Sequence, residues 1–495
     1  MSDFYLLPVT PPTIFVQNRI MKYGITGLLL LLGSMAIAQG YVPKIEPCPC
    51  MIKVDSSLIS KCGYLIVPEN RQQPAGRTIK LPFVYLKKSA TDSAITLFTT
   101  GGPGYSTIAN FTEITAKSDF FQFGSLIIFD QRGSKKAIPC LECSEINAAQ
   151  IKGYKENLPI DSLRLDAIKQ CRKRLVAQGI NISSYTTIES AADINDLRLA
   201  LQLGKLNLFG ISYSGGLMLT VAKNHPECVK SLILNSPLPA FTNYEEEGLF
   251  NMNEAFDQVF DNCEADSTDK STYGTLRERF HQYFTAITGK TFAIAYTAKG
   301  DSQTRQIHYT KKELLDALLN RMNKRQIKEV PFVMNELING RHEPYVKEIL
   351  DETFKGDERL SHGMRYSIYC SEQIAYARKE LVKKQELILP WFAGYEFNDV
   401  DHAICDCWNV KPEPPAAKEP VYSNIPAIIA AGDIDPWCRP HYNRLIKRCM
   451  PNSQLLIVHD QGHLPSFFVN GVDYLKPFIQ NPYKKLEAGK GVVVE

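Results

Sequence analysis

Ser212 lies in a short stretch whose residue types and spacing fit nucleophilic catalysis. The segment FGISYSGG follows the apolar run KLNLF, with Gly210 two positions before this serine and Ser214 two positions after it. A sharp turn from a strand into a helix needs small residues on both sides, so that the hydroxyl is held outward. Gly-x-Ser-x-Gly is typical of such turns, and Ser214 departs from it only at the last position. Ser214 as the nucleophile gives the poorer match, because its own minus-two neighbour is Ser212.

A serine hydroxyl needs a histidine that takes its proton and a carboxylate that orients the histidine. Both types follow at the ends of two predicted strands: AIIAAGDIDP contains Asp433 and Asp435, and LLIVHDQGH contains His459 and His463. We favour Asp435, which precedes a proline and lies farther beyond its strand. We favour His463, which follows a glycine in the loop, whereas His459 still belongs to the strand. The predicted catalytic residues are therefore Ser212, Asp435 and His463.

Two backbone N–H groups are candidates for binding the oxyanion that forms when a hydroxyl attacks a carbonyl group. The residue after the nucleophile, Tyr213, supplies one of them. The glycine-rich loop TTGGPG follows an early strand and allows a close approach of the backbone to a substrate. Since Pro103 has no N–H, Gly102 is the predicted second donor.

The sequence offers no convincing metal site. The spacing HDQGH faintly resembles a metalloprotease helix, but Gly462 and the preceding strand argue against a helix there. The cysteine pairs CPC and CDC have one-residue gaps rather than the two-residue gaps of zinc sites. The predicted chemistry requires neither a metal nor an organic cofactor.

Apolar strand patterns alternate with helical patterns in the elements that must position these residues. AITLFTT, SLIIFDQRG, LNLFGIS and CVKSLILNSP have the continuous apolar character of strands covered on both faces, which predicts a mostly parallel, doubly wound α/β sheet. Between 241 and 420 the sequence changes to long charged helical patterns that end in VKPEPPAAKEP. We predict a core formed by 39–240 and 421–495, interrupted by a helical cap at 241–420.

The composition is that of a globular protein with no preference for nucleic acid. The chain has 495 residues, 44% of them hydrophobic, and 56 basic residues nearly balance 53 acidic ones. No basic run is interleaved with aromatic residues, so we expect no nucleic-acid partner. A peptide or another small substrate fits this charge balance better.

The N-terminal residues predict export. Lys22 precedes the apolar run from Ile25 to Leu32, and Ala36-Ile37-Ala38 fits a cleavage site, which indicates a signal peptide at about Met21–Ala38 after an upstream extension. The apolar run is shorter than the roughly 20 residues of a membrane-spanning helix, so we expect a secreted or periplasmic protein without a membrane anchor after cleavage. Thirteen cysteines agree with disulfide bonds in an oxidising compartment, and the odd count leaves at least one unpaired.

Taken together, the motifs resemble the prolyl aminopeptidases and tripeptidyl aminopeptidases, which are exported serine exopeptidases with the α/β-hydrolase fold. The resemblance covers most of the chain after the predicted signal, from CGYLIVPENR through GGPG, DQRG and YTTIESAADINDLRLAL to GISYSGG, GDIDP and GH. It implies a helical cap over the site and a peptide substrate with a free N-terminus, from which proline or a short peptide is released. Thr100 stands where the family usually has His or Asn, and Ser214 replaces the last glycine of the turn.

An exopeptidase of this kind must hold the ammonium group of its substrate, and a partly desolvated carboxylate does so through a charge-assisted hydrogen bond. The resemblance points first to Glu372 in the cap segment YCSEQ. The second candidates are Glu245 and Glu246 with Glu247, in NYEEEG at the start of the cap.

The resemblance also concerns residues with expected structural roles. It implies a disulfide between Cys370 and Cys405, and it leaves Cys263 without its customary local partner. For Asp130 and Arg132 in FDQRG we expect a buried ion pair or hydrogen-bond hub that fixes loops around the site.

Two other functions remain open at this point. An esterase or another acyl hydrolase would use the same catalytic residues, because the fold and the triad do not determine the substrate. An inactive hydrolase fold that serves as a binding module is the third alternative, favoured only by Thr100 and Ser214. The sequence does not predict the oligomeric state.

Overall fold

A computed structural model describes residues 41–92, 94–323 and 325–495, and Tyr41–Glu495 form one compact unit. The predicted signal peptide lies outside the described residues. Within these ranges, no helix has the length and apolar character that crossing a membrane requires.

Ten strands of the described residues form one large sheet, in the order β1-β3-β4-β7-β5-β8-β9-β12-β13-β16. Its six central strands, β7 to β13 in this order, run parallel, and antiparallel strands complete both edges. The strands of the described residues are β1 (Lys44–Pro47), β2 (Lys53–Val54), β3 (Ile59–Pro68), β4 (Thr78–Lys87), β5 (Ile95–Thr99), β6 (Glu113–Ile114), β7 (Ser125–Phe129), β8 (Leu206–Ile211), β9 (Val229–Asn235), β10 (Phe292–Tyr296), β11 (Arg305–Tyr309), β12 (Ala427–Gly432), β13 (Ser453–Val458), β14 (Phe468–Val469), β15 (Val472–Asp473) and β16 (Val492–Val494).

The central strands are mostly apolar because both faces of the sheet are covered. Every residue of β5, β7 and β12 is buried. Along β12 the side chains alternate between two cores, so that Ile428 packs in one and Ile429 in the other. The predicted mostly parallel, doubly wound sheet is therefore confirmed.

Nine helices of the described residues, α5 to α13, lie between β9 and β12 together with the hairpin β10–β11, and we call this segment the helical insertion. The helices of the described residues are α1 (Ser144–Glu156), α2 (Ile160–Ala177), α3 (Thr187–Ala200), α4 (Tyr213–Asn224), α5 (Gly248–Ala265), α6 (Ser267–Tyr273), α7 (Leu276–Ala286), α8 (Lys311–Leu319), α9 (Val330–Ile338), α10 (Glu343–Lys355), α11 (His362–Glu372), α12 (Lys379–Ile388), α13 (His402–Trp408), α14 (Pro440–Cys449) and α15 (Leu475–Gln480). The bounds 241–420 of the predicted cap remain a prediction.

Helices α1 and α2 fall in the segment assigned to the core by sequence, yet they pack against the helical insertion. Helix α1 contacts α10, and α2 contacts α13. The hydrophobic cluster of α1 and α2 includes Trp408, which is fully buried. These two helices and the insertion share one hydrophobic cluster, which also includes Tyr213 directly after the end of β8.

Three disulfide bonds hold this architecture: Cys50–Cys62, Cys143–Cys171 and Cys370–Cys405. The predicted bond between Cys370 and Cys405 is confirmed, and it joins α11 to α13. Cys263 is buried and unpaired among the described residues, as the sequence predicts.

The expected structural role of Asp130 and Arg132 is confirmed, although they do not pair with each other. Asp130 accepts hydrogen bonds from the hydroxyls of Ser106 and Ser134 at 2.7 and 2.9 Å, and so ties the glycine-rich loop to β7. Arg132 donates to both carboxylate oxygens of Asp193 on α3, at 2.7 Å each. Both residues are fully buried.

Candidate active site

Ser212 occupies the turn between β8 and α4 in a strained backbone conformation. Its φ of 53° lies in the left-handed region, which a residue with a side chain adopts only where the surrounding structure enforces it. The turn is held by a hydrogen bond from the Ser212 N–H to the Asn235 carbonyl oxygen, at 2.9 Å. A methyl group placed on Gly210 would lie 2.5 Å from the Ser214 carbonyl oxygen, so this position accepts only glycine.

Ser214 replaces the usual glycine and uses its hydroxyl to fasten the turn. Its Oγ accepts a hydrogen bond from the Ile211 N–H at 2.8 Å and lies 2.7 Å from the Thr99 carbonyl oxygen, to which it donates. The side chain is fully buried beneath the turn. Ser214 is therefore a structural group here, and the departure from the motif is compatible with a tight turn.

Asp435 and His463 form a hydrogen-bonded pair at the ends of β12 and β13. The distance between Asp435 Oδ2 and His463 Nδ1 is 2.8 Å. The other carboxylate oxygen accepts the N–H groups of Trp437 and Cys438, at 2.9 and 3.0 Å. Burial alone would raise the pKa of Asp435, but the adjacent imidazole and these hydrogen bonds lower it below its ordinary value. The carboxylate is thus held ionised behind the histidine.

The alternative residues, Asp433 and His459, form a second pair away from the cavity. Their Oδ2 and Nδ1 atoms are 3.0 Å apart, and the His459 side chain is half exposed. Neither residue lines the cavity that contains Ser212 and His463. The favoured candidates are the ones that the structure brings together.

A cavity of about 620 Å³ lies over the turn, and Ser212, His463 and the glycine-rich loop all line it. No hydrogen bond joins the Ser212 hydroxyl to the His463 ring among the described residues, and catalytic contacts of this kind often tighten only when substrate binds. The Cys438 thiol lies beside Asp435 and His463. Burial raises the pKa of Cys438 well above its ordinary value, and so the thiol stays protonated and is a poor competitor of the serine.

The predicted oxyanion donors lie at the same place. Tyr213 is the first residue of α4, and no acceptor bonds the backbone N–H of Tyr213, Gly101 or Gly102 within the described part of the chain. Gly101 lies directly against the turn, because a methyl group on it would come within 2.8 Å of Ser212 Cβ. Gly101 and Gly102 both line the cavity. The arrangement can thus offer N–H groups from two sides to a bound carbonyl oxygen.

Residues 100–468 match the family model described as alpha/beta hydrolase fold. The chain belongs to this family. Among curated proteins it is similar to a tripeptidyl aminopeptidase of Streptomyces coelicolor, with 26% identity over 36% of this chain and 35% of the relative. It is also similar to serine protease Hip1 of Mycobacterium tuberculosis, with 23% identity over 48% of this chain and 49% of the relative. The chain thus spans between a third and a half of the length of these relatives.

This α/β hydrolase places the three predicted substrate-binding glutamates in different surroundings. Glu245 is partly buried and accepts a hydrogen bond from Asn398 Nδ2 at 2.6 Å. Glu372 is buried behind Tyr213 in a separate, smaller cavity. Glu246 pairs with the exposed Arg378, whose backbone N–H donates to it at 2.8 Å. Of the three, only Glu245 bonds a residue that lines the catalytic cavity, Asn398.

The sequence did not single out three charged residues that line the cavity of this α/β hydrolase, Arg359, Arg365 and Asp399. Arg365 Nε donates to Asp399 Oδ1 at 2.7 Å, while the second oxygen, Oδ2, has no partner among the described residues. The Asp399 side chain is 44% exposed, which leaves it accessible to a bound group. Asp399 lies a few residues before the CDC segment, whose Cys405 forms a disulfide. This position in the sequence is the only feature that could have indicated Asp399 as a site residue.

Proposed function

We propose that the protein is an exported serine aminopeptidase, which releases an N-terminal residue or a short peptide from a substrate with a free N-terminus. The observation that carries this proposal is the shared cavity of Ser212 and His463, with the buried Asp435 behind the histidine and the accessible Asp399 in the same cavity. The similarity to a tripeptidyl aminopeptidase and a serine protease supports a peptide as the substrate. The three disulfide bonds support export.

The proposed reaction follows from the positions of the three side chains. His463 Nδ1 donates to Asp435, so its Nε2 is left to accept the proton of the Ser212 hydroxyl as Oγ attacks the scissile carbonyl carbon. The N–H groups of Tyr213 and Gly102 bind the resulting oxyanion. His463 then donates its proton to the leaving amine, and the acyl-enzyme is hydrolysed by a water molecule that the same histidine activates.

The substrate's ammonium group requires a negative group in the cavity, and Asp399 provides one directly. Glu245 adds a second charge behind Asn398, whose side chain it holds by the hydrogen bond described above. Arg365 pairs with Asp399, and Arg359, which also lines the cavity, pairs with Asp357. Among these groups, the charge of Glu245 is the one that no arginine pairs with. An N-terminal ammonium would replace water there and form charge-assisted hydrogen bonds.

A fluorophosphonate probe tests the serine hydrolase part of the proposal. We expect covalent labelling of the wild type and none of Ser212→Ala, because the probe reacts only with an activated serine. Ser214→Ala is the matched control and should still be labelled. Labelling of Ser212→Ala, or no labelling of the wild type, would contradict the proposed nucleophile.

Peptide substrates test the requirement for a free N-terminus. We expect hydrolysis of Ala-Ala-Pro or Pro p-nitroanilide and a large loss of kcat/KM when the same peptides are acetylated at the N-terminus. A short acyl ester measured in parallel distinguishes an esterase. Equal turnover of free and acetylated peptides would show that the protein is an acyl hydrolase without aminopeptidase specificity.

A further inference from the structure

Helix α11 of the helical insertion contacts the glycine-rich loop that carries one proposed oxyanion donor. Arg365 Nη1 donates a hydrogen bond to the Gly102 carbonyl oxygen at 2.8 Å. One turn earlier, the N–H of Ser361 donates to the Gly104 carbonyl oxygen at 2.9 Å. These bonds hold the Gly102 and Gly104 carbonyl groups against the start of α11. The N–H groups of Gly101 and Gly102 have no partner among the described residues.

The other end of α11 is connected to the second proposed donor through two hydroxyl groups. Glu372 accepts the N–H of Thr187 with Oε1 and the Thr187 hydroxyl with Oε2, at 2.6 Å each. Thr187 Oγ1 lies 2.8 Å from the Tyr213 hydroxyl. When Glu372 is ionised, it takes the single proton of the Thr187 hydroxyl, and Thr187 then accepts the proton of Tyr213. The three side chains of this hydrogen-bond chain, Tyr213–Thr187–Glu372, are all buried. Each hydroxyl then donates toward the carboxylate.

This hydrogen-bond chain restrains the position of the Tyr213 backbone. Tyr213 begins α4 directly after the strained Ser212. Its side chain and its unbonded N–H belong to the same residue, so a restraint on the side chain also restrains the N–H. Holding the tyrosine ring at its hydroxyl end limits the rotation of this residue. Arg365 and Glu372 are seven positions apart on α11, which places them on one face of the helix.

We propose that α11 positions the oxyanion site, with Arg365 acting on Gly102 and Glu372 acting on Tyr213 through Thr187. Glu372 is then a positioning residue and not the group that binds the substrate's ammonium. The inference rests on the proposed Ser212 chemistry, but it does not depend on the N-terminal specificity. It therefore applies equally to a peptide and to a simple ester.

Thr187 variants test the inference with little change in volume. Thr187→Val removes the hydroxyl that links Tyr213 to Glu372, and Thr187→Ser retains it. We expect Thr187→Val and Tyr213→Phe to lower kcat by about tenfold, both for p-nitrophenyl acetate and for a free peptide. This loss is smaller than the loss from removing a whole oxyanion donor. KM should stay within about twofold of the wild-type value. Thr187→Ser should recover most of the wild-type kcat. Because the two substitutions break one chain, the double variant should be no worse than either single variant.

Tyr154→Phe is the matched control for a buried tyrosine hydroxyl that bonds a glutamate. Its hydroxyl donates to Glu313 Oε1 at 2.8 Å, and Tyr154 does not line the catalytic cavity. We expect a similar loss of stability in thermal unfolding but an unchanged kcat. If Thr187→Val does not fold, Tyr213→Phe decides the question alone.

Two results would overturn the inference. One is a wild-type kcat in both Thr187→Val and Tyr213→Phe. The other is a Glu372→Gln variant that raises KM for free peptides and leaves ester hydrolysis unchanged, since this would make Glu372 the ammonium ligand. A wild-type protein that neither reacts with a fluorophosphonate nor hydrolyses any substrate would instead refute the proposed function itself.

Discussion

Asp435 is a fully buried carboxylate, and its charge is compensated by one imidazole and two backbone N–H groups. An amide at this position would retain the volume but would no longer fix the proton of His463 on Nδ1. We therefore expect Asp435→Asn to lower kcat by about 10³- to 10⁴-fold while the protein stays folded. The measurement is the steady-state hydrolysis of a peptide p-nitroanilide.

Asp433→Asn is the control for this substitution, because it changes a neighbouring Asp–His pair that does not line the cavity. Its kcat should equal that of the wild type. The assignment of Asp435 would be wrong if the two variants lost activity to the same extent.

Glu245 gives the proposed ammonium site a dependence on pH. Burial raises its pKa to about 7, against the opposing effects of the Asn398 hydrogen bond and the Arg365 charge, while Asp399 and Asp401 raise it further. Below this pH the carboxyl is neutral and binds an ammonium poorly. KM for a free peptide should thus fall severalfold between pH 6 and pH 7.5, and it should rise again as the substrate's own amine, with a pKa of roughly 8, loses its proton.

Glu245→Gln should flatten the acidic part of this KM profile. An ester without an amine should show no such dependence in either protein. A wild-type KM that is constant from pH 6 to 7.5 would contradict the role of Glu245.

The residue scale also shows what a sequence can and cannot predict about a site. Asp435 and His463 follow directly from their strands, so local sequence was enough to choose them, and the structure brings them into contact; their catalytic roles remain predictions. Glu372 and Asp399 depend on how α11 and the segment after α12 pack against the core. No local pattern encodes that packing, and so Asp399 was not found at all.

At the scale of elements, the disulfide Cys370–Cys405 ties α11 to α13 across 35 residues. Its loss would raise the conformational entropy of the unfolded chain. It would also remove a covalent restraint on α11, the helix that contacts the glycine-rich loop. We expect Cys405→Ser to lower the free energy of unfolding by about 3 kcal/mol, as measured in urea. The same variant should lower kcat more than it changes KM.

Cys407→Ser is the control, since Cys407 is unpaired in the same short helix. This variant should keep both the stability and the kcat of the wild type. A Cys405→Ser variant with a normal kcat would show that α11 stays in place without its covalent link.

At the scale of the whole molecule, the central sheet was largely predictable, because β5, β7, β8, β9 and β12 are mostly apolar and mostly buried. The helical character of the insertion was equally visible in its charged patterns. What the sequence could not indicate was the association of α1 and α2 with α10 and α13, because helices of similar amphipathic pattern do not reveal their partners. Where α1 and α2 pack depends on the shape of the helix surfaces and on contacts between residues far apart in the chain.

The order of the strands has one consequence for how the protein is made. The insertion separates β8, which precedes the serine, from β12 and β13, which precede the aspartate and the histidine. A ribosome therefore synthesises the nucleophile some 250 codons before the base that would activate it. With the proposed catalytic residues, a nascent chain gains hydrolytic activity only when the last strands have joined the sheet.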